Sequence, residues 1–432
     1  MPASRPRRPR PSPRSGAALA YLRSRSELGK KFGLATIKAL VDELGHPERR
    51  YPTLLVAGTN GKGSVVAYVT AGMRASGLRV GRYTSPHLVH VRERIAVDGR
   101  VISERELDHA IAIVRETAER LVARGALRAH PTYFEALTTA AFLHFQRRRV
   151  DVAVLEVGLG GRLDATNVSD PLASAIVSID FDHEAFLGRT LASIAREKAG
   201  VLRRGREAIL GPVPAPARRA IESVALRVGA RIVDATDGIS IERIGERLDV
   251  ATPEYSYAGL RPLAGVHQVT NLIVALRLLE GARRAGLPLE RAALARGISK
   301  TAWPGRLQWV PGRPRLLLDG AHNPAGARAL ARYLSRVPSF VLVFGVMRDK
   351  DVESMAGALF PLARDIVLTR SRSRRAATPA EIARRAGSLG TRAHRVSDPV
   401  RALSLARRLA GRSGTVVVAG SLYLVGAALR SR

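Results

Sequence analysis

Short runs of apolar, often β-branched residues alternate along the chain with longer segments in which apolar positions recur at helical spacing. The apolar runs fall at 53–58, 79–84, 151–158, 173–180 and 207–211, and helical spacing occupies 64–76, 104–124 and 133–147. Alternation of this kind predicts an α/β fold with a mainly parallel sheet and helices on both of its faces.

A second series of the same kind follows a break in the pattern at Trp303-Pro304-Gly305. Before the break, turn-rich alternation over 239–262 predicts an antiparallel excursion, and a helix is predicted over 270–285. After it, apolar runs at 315–320, 339–346, 365–370, 392–397 and 415–420 are each followed by a helical segment. The pattern predicts two domains, at 17–298 and 299–432, and the smaller one is predicted to be Rossmann-like.

The composition agrees with two soluble domains. At 432 residues the chain is too long for one ordinary core, given a prior of about 150 residues per domain. No uncharged apolar run approaches the roughly 18 to 20 residues that a membrane span needs. The chain has no cysteine, which excludes disulfides, thiolate nucleophiles and cysteine-type zinc sites. We therefore expect a cytoplasmic protein without a membrane partner.

The net charge of +33 raises the question of nucleic-acid binding. The basic residues are mostly arginines scattered through predicted helices, and aromatic residues make up only 5% of the chain. Arginines scattered along the whole chain are more typical of a compositional bias than of a basic surface that binds nucleic acid. We therefore expect no nucleic-acid partner. A nucleic-acid-binding P-loop NTPase is kept as the alternative from another functional class. Residues 1–16, with five arginines and no acid, are predicted to form a disordered basic tail.

The stretch "VAGTNGKGSV" (56–65) joins a predicted strand directly to a predicted helix. A phosphate-binding loop requires this context, because glycines let backbone N–H groups approach the anion and the helix N-terminus adds its positive end. The usual pattern places a hydroxyl directly after the lysine, whereas here Gly63 separates Lys62 from Ser64. Lys62 would neutralise phosphate charge, and Ser64 could ligate a phosphate-bound Mg²⁺. A Gly-rich connection with a capping serine is the alternative.

Acidic residues stand at the carboxyl ends of two later predicted strands. Glu156 ends the run "VAVLE" and precedes the Gly-rich loop that carries Asp164. Its carboxylate is a suitable oxygen ligand for a hard cation, although it could equally cap the loop. Beyond the next strand, His183 stands among Asp180, Asp182 and Glu184. These residues suit a second metal position, and helix caps are the alternative.

Lys198 shares one helical face with Leu191, Ile194 and Ala195. That spacing turns its ammonium toward the core, where an unpaired charge is costly. The lysine would then pair with an anion, lose its proton, or take up CO₂ as a carbamate that can ligate metal. Snorkelling to the surface is equally compatible with the spacing.

The second series repeats this arrangement of polar residues at strand ends. Asp319 ends an apolar run and is followed by His322 and Asn323 before a helix. Arg306, at the break between the two series, could reach phosphate in a cleft between domains, where ligands often bind.

Nine motifs together make the chain resemble folylpolyglutamate synthase and dihydrofolate synthase, of the Mur-ligase superfamily of ATP-dependent amide-forming ligases. The resemblance covers nearly everything after residue 17, with one departure at Leu55, where the family often has His. The motifs, in the family's order, are "VAGTNGKGS" (56–64), "SPHL" with "ERI" (85–88, 93–95), "YFEALTTAAF" (133–142), "EVGLGGRLDATN" (156–167), "DHEAFLGRTLASIAREKAG" (182–200), "GVHQVTN" (265–271), "WPGR" (303–306), "LDGAHNP" (318–324) and "GSLYLVG" (420–426).

The resemblance implies a role for each matching residue. Phosphate binding is implied for Thr59, Asn60, Gly61, Lys62, Gly63 and Ser64, with Arg306 and His322. Two Mg²⁺ ions would be held by Ser64 and Glu156 and by His183 and carbamylated Lys198. Gln268 and Asn271 resemble adenine-side contacts, Asp319 a ribose or hinge contact, and Ser85, Pro86 and His87 the pterin-side loop. Asp164 matches an acid near the reacting groups, and Arg375 is a candidate for the glutamate site.

The resemblance also implies the reaction. ATP phosphorylates the carboxylate of dihydropteroate or a reduced folate, and L-glutamate then attacks the acyl phosphate to form an amide. We expect a bifunctional, monomeric enzyme that acts on these small molecules. A folylpolyglutamate synthase with a single activity is the alternative within the class, and a cell-wall Mur ligase fits the "SPHL" and "YFEALT" stretches less well.

Overall fold

The computed structural model describes residues 16–26 and 33–431. The predicted basic tail, 1–16, therefore lies outside the described residues except for Gly16. Two large sheets and one small sheet make up the described part of the chain.

The first large sheet has eight strands. They are β1 (Thr53–Ala57), β2 (Val80–Tyr83), β3 (Ile95–Val97), β4 (Arg100–Val101), β5 (Val152–Glu156), β6 (Pro171–Ile176), β7 (Glu207–Leu210) and β8 (Arg231–Asp234). Their order is β4-β3-β2-β5-β1-β6-β7-β8, and all neighbours are parallel except in the β2-β3-β4 meander. The predicted parallel sheet is confirmed, whereas β3, β4 and β8 were not predicted.

Ten helices accompany this sheet within the described residues. They are α1 (Ala17–Ser26), α2 (Ala35–Glu43), α3 (Lys62–Ala75), α4 (Glu104–Ala123), α5 (Tyr133–Arg147), α6 (Glu184–Leu187), α7 (Leu191–Lys198), α8 (Ala215–Val228), α9 (Val266–Arg284) and α10 (Arg291–Ser299). The central strand β1 is buried on both faces, with Leu55 in the core that includes α5 residues and Leu54 in the core that includes α3 residues. Helices on both faces of the sheet are what the alternation of apolar runs and helical segments predicts, and burial on both faces accounts for the continuous apolar run of β1.

The predicted antiparallel excursion is a three-stranded sheet. Its strands are β9 (Ser240–Ile244), β10 (Arg247–Ala251) and β11 (Ser256–Leu260), in the order β11-β10-β9. Glu280 of α9 accepts hydrogen bonds from Thr252 and Tyr257, which anchors this sheet to the helix.

The second large sheet has six strands in the order β12-β13-β17-β14-β15-β16. They are β12 (Gln308–Val310), β13 (Arg315–Leu318), β14 (Val341–Phe344), β15 (Asp365–Leu368), β16 (His394–Arg395) and β17 (Thr415–Ala419), and only β12, which was not predicted, is antiparallel. The helices are α11 (Pro324–Leu334), α12 (Val352–Leu359), α13 (Pro379–Arg385), α14 (Pro399–Ala410) and α15 (Leu422–Arg430). In the part of the chain that the structure describes, no helix has the length and apolar character of a membrane span.

Candidate active site

A cleft of about 530 Å³ lies where the carboxyl ends of strands from both large sheets face each other. Segments that follow β1, β2, β5, β6 and β7 line it on one side, and segments that follow β13 and β17 line it on the other. Ligands of open α/β sheets bind beyond the carboxyl ends of the strands. The position of the cleft is therefore the one expected for a substrate site.

The phosphate loop forms the floor of this cleft at the N-terminus of α3. Gly61 caps the helix with φ of 82°, and a side chain there would collide with the Asn271 amide. Lys62 Nζ donates to the carbonyls of Gly58, at 2.9 Å, and Thr59, at 3.1 Å. Burial lowers the pKa of Lys62 from its usual range, and Glu156 opposes this shift. The Lys62 ammonium is therefore bound to carbonyls of the phosphate loop itself, and from there it can reach an anion at the helix N-terminus.

Gly63 lies against the indole of Trp303 in the "WPGR" segment. A Cβ at position 63 would stand 3.0 Å from Trp303 Nε1, closer than ordinary van der Waals contact, and the indole also lies against Arg82, whose Cζ is 5.0 Å from the ring. The residue between the lysine and the hydroxyl is thus a glycine because the segment that carries Arg306 packs directly on it.

We expect Gly63→Ala to lower kcat/KM for ATP by about fivefold or more, because overpacking a fixed ring costs about 1 kcal/mol or more. Steady-state kinetics at varied ATP concentration measures this effect. Gly357→Ala is the matched control, since Gly357 also lies in a helix but a Cβ added there would meet no atom within 4 Å. The control should keep wild-type kinetics, and equal kinetics for both variants would contradict the packing account.

Ser64 and Glu156 face the cleft from neighbouring elements. Ser64 Oγ accepts a hydrogen bond from Gln268 Nε2 at 3.2 Å, and Gln268 Oε1 accepts one from Asn271 at 3.0 Å. Glu156 Oε2 accepts a hydrogen bond from the Ser85 backbone at 3.0 Å. Burial raises the pKa of Glu156 although Lys62 opposes the shift, so this carboxylate favours an added cation.

Lys198, at the end of α7, points into the core. This is one of the two positions that its helical spacing left open in the sequence. It is 4% exposed, and its Nζ donates to the Gly58 carbonyl at 3.0 Å. Lys62 uses the same carbonyl. Burial and the neighbouring Lys62 lower the pKa of Lys198 to about 7. Its amine is therefore uncharged in a large share of molecules near neutral pH.

The loop after β5 fixes the end of α7 through backbone contacts. Arg162 N donates to the Glu197 carbonyl at 2.8 Å, and Asn167 Nδ2 donates to the Gly200 carbonyl at 2.9 Å. A side chain at Gly161 would meet the Lys198 carbonyl at 2.7 Å. The "GLGGRLDATN" and "REKAG" motifs thus pack as one unit, which sets the position of Lys198.

The second sheet contributes Arg306, Asp319 and His322 to the cleft. Asp319 accepts hydrogen bonds from the backbone N–H groups of Leu307, at 2.9 Å, and Ala321, at 2.8 Å. It therefore links the segment that contains Arg306 to the loop after β13. His322 Nδ1 lies 2.8 Å from the Gly320 carbonyl and must donate to it. Burial, ahead of Lys350, lowers the pKa of His322 to about 4, so the ring is neutral at pH 7.

Buried polar contacts join the two sides of the cleft. Lys350 Nζ forms an ion pair with Asp182 Oδ1 at 2.5 Å, and both side chains are less than a tenth exposed. Asn323 Nδ2 donates to Asn60 Oδ1 at 2.9 Å and to Asp182 Oδ2 at 3.2 Å. Burial alone would raise the pKa of Asp182, but Lys350 with His183 and His322 outweighs it and holds that pKa below its usual range.

We expect Asp182→Asn to destabilise the protein by about 3 kcal/mol, because it leaves the buried Lys350 ammonium with only the more distant Asp349 carboxylate, 3.9 Å away, as a counter-charge. The pKa of Asp182 is depressed, so its contribution to stability is present above about pH 4 and is lost as the pH falls below it. Chemical denaturation at pH 7 measures the loss, with Asp42→Asn, whose side chain is 62% exposed, as the control. Equal stability of the two variants would contradict the pairing.

The sequence and the architecture both match known proteins. Residues 305–422 match the family profile described as Mur ligase, glutamate ligase domain. The dihydrofolate synthase/folylpolyglutamate synthase of Bacillus subtilis is 33% identical over 428 residues, which cover 94% of this chain and 96% of that protein. The chain belongs to the folylpolyglutamate synthase/dihydrofolate synthase family. A probable bifunctional folylpolyglutamate synthase/dihydropteroate synthase of Haloferax volcanii is 36% identical over 424 residues, and the chain spans only 48% of that longer protein.

Solved structures of the family share the fold. The Mycobacterium tuberculosis folylpolyglutamate synthase complexed with ADP superposes with a TM-score of 0.89 at 32% identity, covering 96% of this chain and 98% of that one. The Yersinia pestis bifunctional enzyme complexed with AMPPNP and Mn ion gives 0.84 at 32% identity, covering 98% and 99%. The α/β fold class predicted from the sequence is thus the family's fold.

Most of the residues that the family resemblance singled out line the cleft. They are Thr59, Asn60, Gly61, Lys62, Gly63, Ser64, Ser85, Pro86, Glu156, His183, Lys198, Gln268, Asn271, Arg306, Asp319 and His322. No group of three His, Asp or Glu side chains converges as a ready-made metal site within residues 16–26 and 33–431.

Three of the predicted residues lie outside the cleft lining. Asp164 accepts hydrogen bonds from Leu159 and Thr166 and organises the loop after β5. His87 Nδ1 accepts a hydrogen bond from Arg94 Nε at 3.0 Å. Arg375 is exposed and pairs with Asp349 at 3.0 Å. A catalytic role for Asp164 and roles in substrate binding for His87 and Arg375 stay predictions.

Lys350 is a residue beside the cleft that the sequence reasoning missed. It follows β14 in "VMRDKD", where the strand-end rule that selected Glu156 and Asp319 could have found it. Because its partner Asp182 lies in the other half of the chain, no local pattern showed the pair.

Proposed function

We propose that the chain is an ATP-dependent ligase that joins L-glutamate to dihydropteroate and to reduced folates through an acyl phosphate. The observation that carries the proposal is the convergence of the phosphate loop, Glu156, Lys198 and the Arg306–His322 side in one cleft. Relatives crystallised with ADP, or with AMPPNP and Mn ion, support ATP and a divalent metal as ligands.

The protein would bind the triphosphate at the N-terminus of α3, with Lys62 and Arg306 against the phosphates. Magnesium, held by Ser64 and Glu156, would supply charge neutralisation at the phosphates. We propose His183 and a carbamate on Lys198 for the second magnesium, since the buried, largely uncharged amine of Lys198 is suited to taking up CO₂. Gln268 and Asn271 would orient Ser64 as well as contact the adenine side.

Catalysis by these residues would consist of positioning and charge stabilisation. An oxygen of the acceptor carboxylate forms a bond to the γ-phosphorus while the bond to ADP breaks. The glutamate nitrogen then attacks the acyl carbon, an amide forms, and phosphate leaves. Lys62 and Arg306 would hold the two anions together, and His322 would donate to phosphate once bound anion favours its protonation. Closure of the cleft by the Asp182–Lys350 and Asn60–Asn323 contacts would exclude water from the acyl phosphate.

An acceptor assay tests the function. Purified protein with Mg²⁺ and ATP receives dihydropteroate or tetrahydrofolate, each with and without L-glutamate, and ADP and the glutamylated product are measured. We expect product from both acceptors and ADP only when acceptor and glutamate are both present. Equal ADP formation without glutamate would refute the ligase and indicate a kinase or another NTPase. Product from tetrahydrofolate alone would indicate a folylpolyglutamate synthase with one activity.

A further inference from the structure

Arg94 is a buried cation that contacts no carboxylate among the described residues. The residue is 7% exposed, and none of the described carboxylates lies within 4 Å of its guanidinium. Its Nε donates to His87 Nδ1 at 3.0 Å. Burial, ahead of the charge of Arg94, lowers the pKa of His87 to about 4, so this partner is neutral. A buried guanidinium without an anion is energetically costly.

The guanidinium is held in place by a rigid turn. Glu93 accepts hydrogen bonds from three successive backbone N–H groups, of Leu88, Val89 and His90, at 2.7 to 3.0 Å. The Arg94 carbonyl accepts one from Thr84 N at 2.9 Å. Arg94 Cζ lies 5.3 Å from the centre of the Tyr133 ring. The turn, the "SPHL" loop and the start of α5 thus fix the position of the charge before any ligand binds.

Arg94 lies beside the cleft rather than on an unrelated surface. Ser85 and Pro86, in the loop that Glu93 anchors, line the cleft. The charge of Arg94 also reaches Glu156, because it is one of the cations that oppose the burial-raised pKa of that carboxyl. A ligand bound in the cleft beside Ser85 and Glu156 would therefore meet the field of Arg94.

The two proposed acceptors differ in the charge that they bring to this place. Dihydropteroate has a single carboxylate, which is the group to be activated. A folate carries at least one more carboxylate on the glutamate that is activated, and this second charge would enter the cleft with the first. We infer that Arg94 binds the second carboxylate of a folate acceptor and so determines how well folates compete with dihydropteroate, an inference that rests on the proposed function.

Arg94→Gln tests the inference, with Arg94→Lys as the charge-conserving variant. Loss of a charge-assisted contact should lower kcat/KM for tetrahydrofolate about 10- to 100-fold more than kcat/KM for dihydropteroate. The loss should appear mainly in KM for the folate, and Arg94→Lys should recover part of it. Arg92→Gln is the control, because Arg92 lies on the same turn but donates to the Ile102 carbonyl at 3.5 Å.

The possible results distinguish a failure of the Arg94 assignment from a failure of the proposed ligase function. A fall in the folate-to-dihydropteroate ratio for Arg94→Gln, absent from Arg92→Gln, supports the assignment. Parallel losses with both acceptors would show a structural role and overturn it, and so would an unchanged ratio. If Arg94→Gln does not fold, the same ratio is read from Arg94→Lys. Failure of the wild-type protein to glutamylate either acceptor would refute the proposed function instead.

Discussion

Lys62→Ala should lower kcat/KM for ATP by about 100- to 1,000-fold, the usual cost of removing one preorganised charge from a transition state. Lys62 is buried at the N-terminus of α3, where its Nζ is held by the carbonyls of Gly58 and Thr59. An anion at the helix end would draw the ammonium off these weak acceptors, so the charge is available at the phosphate without reorganising the loop.

Steady-state kinetics with ATP varied at saturating acceptor and glutamate measures this loss. Lys38→Ala is the matched control, since Lys38 is exposed on α2 and should be replaceable without effect. Lys62→Arg should restore little activity, because the branched guanidinium does not fit the carbonyl cradle. An Ala variant with more than a third of wild-type activity would show that the loop does not bind the reacting phosphate.

Lys198→Ala should abolish ligation, with a loss of about 1,000-fold or more if its carbamate holds metal against the phosphates. The amine has a pKa of about 7, below the ordinary value because of burial and Lys62. Since the uncharged form reacts with CO₂, carbamate formation should rise as the pH increases through 7 and fall in more acidic buffer. Lys198→Arg should be as inactive as Lys198→Ala because a guanidinium remains protonated.

Two readouts bear on the carbamate itself. Carbon-labelled bicarbonate should give a carbamate NMR signal in the wild-type protein that is missing from Lys198→Arg, and small carboxylates should partly rescue Lys198→Ala. Lys300→Ala serves as the control, because Lys300 directly follows α10 and its side chain is exposed. A wild-type protein without the signal, together with an active Lys198→Ala, would contradict a modified lysine.

The elements that frame the cleft could be predicted from the sequence because their local patterns and their burial agree. The run 53–57 is apolar at every position but the first because β1 is buried on both faces, and the helix over 133–147 has a capping box between Thr132 and Glu135 at its start. The short edge strands β4, β8 and β12 were missed, because exposed edges such as Arg100–Val101 lack alternation. Their pairing depends on the neighbouring strand rather than on their own residues.

The residues of the candidate site could be predicted where a local pattern marks them, such as the Gly-rich loop at 56–65, a polar residue at a strand end, or helical spacing. Glu156 and Asp319 were predicted because each ends an apolar strand. For Lys198, helical spacing reduced the possible positions of the side chain to two, one in the core and one at the surface. The Asp182–Lys350 pair joins residues 168 positions apart, and the contact of Gly63 with Trp303 joins a loop to a distant segment. Such contacts depend on how the two sheets face each other, which no local sequence pattern reports.

The central claim is that ATP activates the acceptor as an acyl phosphate, and an oxygen-transfer experiment tests it most directly. Dihydropteroate whose carboxylate carries heavy oxygen is glutamylated with Mg²⁺ and ATP, and the released phosphate is analysed by mass spectrometry. One carboxylate oxygen should appear in the phosphate and the other should remain in the new amide. Phosphate without label, alongside glutamylated product, would contradict the acyl phosphate and with it the account of this cleft.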